Sequence, residues 1–243
     1  MKALVVAALA LVGCAQAQSP AAIPDASDDE RLPPTAMREA GAEGTSQRYL
    51  ALGDSFTIGT GTTPDRSMPA RLTSRWQAAG CAVVLKNLGV NGYTADDLIA
   101  DELPQVKAFA PTRVTLAIGA NDIVQGHTPD EYRARVRSIL AAIVSDGVTP
   151  PRIFALPQPE WSRSPAAHGI GFEADLTAQI VLFNGILRDE ALGAGARWVD
   201  LTARMHQQAD AKMLASDVLH PNADAYDEWA ADLAALGTPC DDS

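Results

Sequence analysis

Four short blocks of this chain hold side chains suited to nucleophilic catalysis. The first is Gly53-Asp54-Ser55, which runs on through Phe56 to Gly61. The second is Asn87-Leu88-Gly89-Val90-Asn91-Gly92-Tyr93-Thr94, and the third is Gly119-Ala120-Asn121-Asp122. The last, Asp217-Val218-Leu219-His220-Pro221-Asn222, stands near the C-terminus. A serine hydroxyl attacks poorly at its free pKa and needs a base within hydrogen-bond reach. Ser55 sits on a glycine-hinged turn, and His220 is the candidate base. Pro221 disfavours a helical conformation at His220, so the imidazole should lie on the approach to a following helix. Asp217 can fold back to accept from Nδ1–H, which fixes the tautomer that leaves Nε2 facing the serine. Taken singly, each group has a plainer role. Ser55 could be a turn residue or helix cap, Asp217 and His220 a surface pair, Asn121-Asp122 a turn or cap, and Gly92 a turn glycine. Their order along the chain argues for chemistry.

The elements that must position these groups are legible as alternating patterns. Strand candidates are Tyr49–Leu52, Ala82–Leu88, Arg113–Ile118, Arg152–Leu156 and Arg197–Leu201. Helical patterns lie between them: Ser67–Ala79, Thr94–Phe109 with Pro104 interrupting, Pro129–Val144, Glu173–Leu192 and Asn222–Leu236. In Pro129–Val144, Tyr132, Val136, Ile139, Leu140 and Ile143 share one face. In the last helix Tyr226, Trp229, Ala230, Leu233 and Leu236 form one stripe. Strands alternating with helices predict βαβ units and a mostly parallel sheet. Near-continuous apolar strands fit a sheet covered on both faces. The expectation is an α/β chain, a three-layer α/β/α domain over residues 48–243 with five strands. In such sheets ligands bind outside the carboxyl ends of the strands, where the first three blocks fall.

The ordered blocks resemble the SGNH, or GDSL, hydrolase superfamily over most of residues 48–236. The resemblance implies a flavodoxin-like fold and a Ser55, Asp217, His220 triad. It also implies an oxyanion hole formed by the backbone N–H of Ser55, the backbone N–H of Gly92 and the side-chain amide of Asn121. Gly89 is a nearby alternative to Gly92. The family hydrolyses carboxylic esters, thioesters and acetylated sugars, so a serine esterase acting on short to medium acyl or acetyl groups is expected. Two alternatives are a non-catalytic glycan- or lipid-binding lipoprotein and an acyltransferase using the same triad. Leu156-Pro157-Gln158-Pro159-Glu160-Trp161 resembles a stretch of bacterial lysophospholipase-like members. It opens a long loop, Pro157–Phe172, in which Trp161 is a candidate substrate contact or simply local packing.

Rival motifs are missing. Gly53–Gly61 lacks the Gly-Lys-Ser/Thr of a phosphate loop and the Gly-x-Gly-x-x-Gly of a dinucleotide site. Thr57 stands where the second glycine of a Gly-x-Ser-x-Gly elbow would be. His127, His168, His206 and His220 show no metal-ligand spacing, so neither metal nor cofactor is expected; the first three read as surface or loop residues. The formal net charge of -11, with no basic cluster, lacks the footprint of a nucleic-acid binder. A monomer is the default expectation.

Residues 1–13 read as a signal peptide: Met1-Lys2, an apolar run to Val12, then Gly13. Leu11-Val12-Gly13-Cys14 resembles a bacterial lipobox, which implies lipidation at Cys14. An ordinary signal peptide cut near Ala15-Gln16-Ala17 is the alternative. Residues 14–47, with four prolines and an acidic cluster, read as a flexible tether. The implied location is the cell envelope, at the outer membrane facing the periplasm, with the membrane a partner only through the lipid anchor. Export would place Cys81 and Cys240 where a pair tends to close, two separately buried thiols being the alternative.

Overall fold

The computed structural model describes residues 46–241. The expectations for a signal peptide and a lipidated Cys14 fall on residues outside that range, as does the expected tether up to residue 45; Gln47, placed at its end, opens β1. In chain order, β1 (Gln47–Gly53), a single turn α1 (Ser55–Ile58), α2 (Met68–Ala78) and β2 (Val83–Asn87) come first. The crossover to β3 (Arg113–Ala117) carries α3 (Ala95–Asp97) and α4 (Val106–Phe109). Next are α5 (Ala120–Val124), α6 (Pro129–Ser145), β4 (Ile153–Ala155), α7 (Glu173–Gly193), β5 (Arg197–Trp198), α8 (Thr202–Asp210) and α9 (Ala223–Ala234).

The strands form one five-stranded parallel sheet in the order β2-β1-β3-β4-β5. In β1, Tyr49, Leu50, Ala51 and Leu52 are all fully buried. Strand periodicity sends alternate side chains to opposite faces. Leu50 and Leu52 meet Val136 and Ile139 of α6 and Ile180 and Phe183 of α7. Tyr49 and Ala51 meet Leu72 and Trp76 of α2 and Tyr226 and Trp229 of α9. The result is the expected three-layer α/β/α architecture, with an apolar core on each side of the sheet. The predicted α6 stripe is buried throughout, and the helix opens on a Thr128/Glu131 capping box with Pro129 in its first turn. In the α9 stripe only Leu236, just past the helix end, is exposed.

The order of strands reverses at β1. The chain steps from β1 to β2 on one side, then returns to place β3 on the other. The crevice outside the carboxyl ends of β1 and β3 is therefore the topological switch point where ligands bind in such sheets. The turn carrying Ser55 follows β1, and the turn carrying Asn121 follows β3.

Three stretches depart from the sequence expectation. Thr94–Phe109 is not one interrupted helix. It is α3, a π-helical turn over Leu98–Glu102, a 3-10 turn over Leu103–Gln105, and α4. Pro104 cannot donate a backbone hydrogen bond and clashes with the preceding turn, which breaks the ladder. β5 ends at Trp198 rather than Leu201. Between it and α9 lies α8, whose nine residues bury only Met205 and Gln208; two inward positions make too weak a stripe to read. Cys81, beyond α2, is disulfide-bonded to Cys240, beyond α9, with the Cα atoms 5.8 Å apart.

Candidate active site

The first functional block folds as a tight turn because β1 ends on glycine. Gly53 has φ of +150°, and a Cβ there would lie 2.1 Å from the carbonyl oxygen of Ala117 in neighbouring β3. Only glycine fits that approach. Asp54 caps α1, accepting from Phe56 N–H at 3.0 Å through Oδ1. Ser55 is thus the first helical residue, where a backbone N–H has no intrahelical acceptor. Its side chain is largely buried, 9% exposed, rather than standing openly in the crevice as a bare turn would suggest.

The last block is organised by Asp217. Its Oδ1 accepts from the N–H groups of Leu219 and His220, each at 3.0 Å. Its Oδ2 lies 2.8 Å from His220 Nδ1. Partial burial pushes the Asp217 carboxyl up, but the two amides and the imidazole outweigh it and hold it below the ordinary carboxylate range. With Nδ1 engaged, Nε2 is the free ring nitrogen. The imidazole packs on Phe56, the neighbour of Ser55, with ring centroids 5.2 Å apart. Among the described residues, no hydrogen bond joins the Ser55 hydroxyl to His220. In unliganded hydrolytic sites such bonds are often long and tighten on substrate binding.

The second and third blocks meet each other. Asn121 Nδ2 donates to the carbonyl of Tyr93 at 2.9 Å, which lays the Asn121 amide beside the loop that carries Gly92. Gly89 N–H is taken by Asn87 Oδ1 at 3.1 Å. By contrast, the N–H groups of Gly92 and Ser55 have no hydrogen-bond acceptor among the described residues. Of the two glycines considered as oxyanion donors, Gly92 has the available N–H.

Behind these groups lie buried acids to which sequence reasoning gave no role. Asp122 is fully buried; it accepts from Ala95 N–H at 3.0 Å and lies 3.0 Å from His127 Nδ1. Burial raises its pKa, and His127 and the Ala95 amide pull the other way. His127, in the loop between α5 and α6 as expected, is in addition a partner of the third block. Burial raises Asp54 to about 7, opposed by Phe56 N–H and reinforced by Asp122. Glu102, 1% exposed, accepts from Gly53 N–H at 3.0 Å. Asp54 and Asp122 were at least visible inside their motifs. Nothing in the spacing around Glu102 marked it.

Trp161 packs in the core, 4% exposed, with its indole N–H donating to Gln158 Oε1 at 2.9 Å. It offers little surface to a substrate. Other residues of the same loop do border open space. A cavity of about 590 Å³ is lined by Arg163, Pro165 and His168 of that loop and by Leu214, Ala215 and Val218 from the segment before α9. Val218 lies between Asp217 and His220, with φ of +54° and its side chain exposed.

Residues 51–228, well over half of the chain, match the model of the GDSL-like lipase/acylhydrolase family. The chain belongs to that family. A curated relative, thioesterase 1/protease 1/lysophospholipase L1 of Escherichia coli strain K12, is 28% identical over 101 residues. That match takes in 42% of this chain and 47% of the relative, so the chain spans about half the length of the curated relative it matches. Among solved structures, the lipase/acylhydrolase of Enterococcus faecalis superposes with a TM-score of 0.64 at 18% identity, covering 78% of this chain and 94% of that one. A variant of the acetyl xylan esterase Axe2 of Geobacillus stearothermophilus gives 0.64 at 20% identity, covering 79% and 94%. The esterase EstA of Pseudoalteromonas, in a monoethylphosphonate-inhibited form, gives 0.63 at 16%, covering 78% and 96%. At these identities the likeness shows a shared fold. This GDSL-family chain thus has the mostly parallel sheet of its relatives, with its four blocks gathered at the carboxyl ends of the strands.

Proposed function

We propose that this chain is a serine esterase that hydrolyses carboxylic esters of short to medium acyl or acetyl groups through an acyl-enzyme on Ser55. The observation that carries the reading is the Asp217–His220 pair, locked through Nδ1 with its ring on Phe56. His220 Nε2 takes the Ser55 proton as Oγ bonds to the ester carbonyl carbon. The N–H groups of Ser55 and Gly92 and the amide of Asn121 receive the charge that forms on the carbonyl oxygen. The C–O bond to the alcohol breaks, and His220 hands its proton to the departing oxygen. Water then attacks the acyl-enzyme, giving its proton to His220, and the acid leaves as Ser55 is re-protonated. Asp217 stabilises the imidazolium in both halves.

The cavity beside the Asp217–His220 loop supports a substrate of moderate size. Its lining is apolar at Leu214, Ala215 and Val218, and polar where Arg163 pairs with Asp210. A transferase would use the same acyl-enzyme but pass it to an alcohol. A binding protein would keep the crevice without turnover. Hydrolysis of a chain-length series of p-nitrophenyl esters, run beside an acetylated-xylan assay with and without added acceptor alcohol, separates these. The reading expects turnover of acetyl to medium-chain esters, with free acid as product, and none from S55A. Equal rates in S55A would refute it. The lipobox-like Leu11–Cys14 supports a lipid anchor in the bacterial envelope, facing the periplasm. Labelling with a palmitate analogue that is lost in C14A tests that placement.

A further inference from the structure

We propose that Glu102 is a positioning residue for the nucleophile, holding the Gly53-Asp54-Ser55 turn through the Gly53 N–H. The inference rests on the reading of Ser55 as the nucleophile. Glu102 lies 49 positions along the chain from Gly53, yet its Oε2 accepts that N–H at 3.0 Å. Gly53 is the last residue of β1, two before Ser55, and its strained φ of +150° leaves its N–H facing off the end of the sheet. No strand partner takes that donor, so a side chain must.

The route by which Glu102 arrives is unusual. It closes the π-helical turn Leu98–Glu102, immediately before the 3-10 turn that contains Pro104. A π turn adds one residue to a helical circuit and is common at functional sites. In a regular helix Glu102, four residues after Leu98, shares its inward face, whereas Leu103 would turn away. The wider π turn keeps Leu98, Glu102 and Leu103 all buried. A carboxyl in this position has a large desolvation penalty if charged, and an apolar side chain would fill the space without it. Retaining an acid there makes sense if its acceptor is needed.

The second oxygen, Oε1, is buried and has no hydrogen-bond partner. Burial, with Asp54 and Asp101 nearby as like charges, raises Glu102 to about 8, against the pull of Gly53 N–H. Asp54 on the neighbouring turn is itself raised, with Asp122 behind it. Asp101, on the same π turn, accepts from Tyr93 Oη at 2.7 Å. Glu102 is therefore a neutral acceptor at neutral pH. Above about pH 8 it becomes a buried anion beside Asp54, which works against the geometry of the turn.

The test compares E102Q with E102A, each against S55A. Gln keeps a carbonyl acceptor for Gly53 and cannot ionise; Ala removes the acceptor. In E102A, kcat should fall roughly 10- to 100-fold, the scale of a small misplacement of a reacting group, with KM within about threefold. The rate at which a fluorophosphonate labels Ser55 should fall in parallel. E102Q should recover most of both. Between about pH 6.5 and 9, labelling of the wild type should decline relative to E102Q by roughly threefold or more. A wild-type to E102Q ratio that stays flat across that range, or E102Q as slow as E102A while folded, overturns the assignment. Should E102A fail to fold, the E102Q comparison decides alone. Wild-type rates in folded E102A, with no labelling of S55A, overturn the role of Glu102 only. Labelling that persists in S55A overturns the Ser55 reading as well.

Discussion

Ser55 and His220 reach the crevice by different routes. The serine turn is held by a contact from far along the chain, Glu102 on Gly53, and behind it Asp122 of the third block accepts from Ala95 N–H, just past the second block. Its supporting carboxyls are buried and raised in pKa, Asp54 to about 7 and Glu102 to about 8. The histidine side is held by its own neighbours. Asp217 binds the backbone of Leu219 and His220 and the ring of His220, all within a single short loop, and it is lowered rather than raised. The proposed nucleophile is fixed by tertiary packing, whereas the proposed base carries its orienting acid with it.

Substitutions at the proposed reacting groups should have the largest effects. S55A and H220A should each reduce kcat by about 10⁴-fold or more in a p-nitrophenyl ester assay, since members of such a unit fail together. N121A should lower kcat by ~10²–10³, the scale of one oxyanion donor. D217A should retain more activity than H220A, because packing on Phe56 still orients the ring. If D217A matched H220A, local orientation by Asp217 would be the whole of what holds the base.

Where the two sides touch, smaller effects are expected. Gly61 follows the serine turn with φ of +89°, and a Cβ there would lie 2.5 Å from that of Ala215 and 3.4 Å from that of His220. G61A should lower kcat several-fold and also cost stability, because the left-handed φ and the clash both strain the loop against His220. An unchanged kcat would mean that the two sides move independently.

The two sides should also differ in how stability responds to pH. A carboxyl raised in the folded state contributes stability that is present at low pH and lost as pH rises through the folded value. Asp54 and Glu102 should therefore make the protein less stable between about pH 4 and 8 as pH increases. A lowered carboxyl works in the opposite sense, so Asp217 loses its contribution as pH falls. That contribution is small because its side chain is 38% exposed. Thermal unfolding across about pH 4–9 should show the decline toward pH 8 flattened in part by E102Q and unaffected by D217N. Reducing the Cys81–Cys240 bond, which spans 159 positions, should lower stability by up to about 4–5 kcal/mol in the chain-entropy picture.

The same contrast explains what could be read from the sequence. Asp217 and His220 are three residues apart, so their partnership is visible in the spacing. The β1 core was legible because Tyr49–Leu52 is a short apolar run, and α6 because its stripe has the helical period. Ser55, Gly92 and Asn121 stand in blocks that follow strands, and the family resemblance of those blocks implied their roles. Glu102 was not, since its role depends on a contact 49 positions away. Trp161 was read as a substrate contact or as packing from its place in a long loop, and its burial depends on tertiary contacts that composition does not encode. α8 escaped notice because polar residues such as Arg204, His206 and Gln207 dominate its sequence.

Peptide mapping of the protein after reaction with a fluorophosphonate tests the central claim most directly, with H220A carried alongside. The account predicts a single adduct on Ser55 in the wild type and labelling slowed by orders of magnitude in H220A. An adduct on another residue, or equal labelling of Ser55 in both proteins, would contradict it.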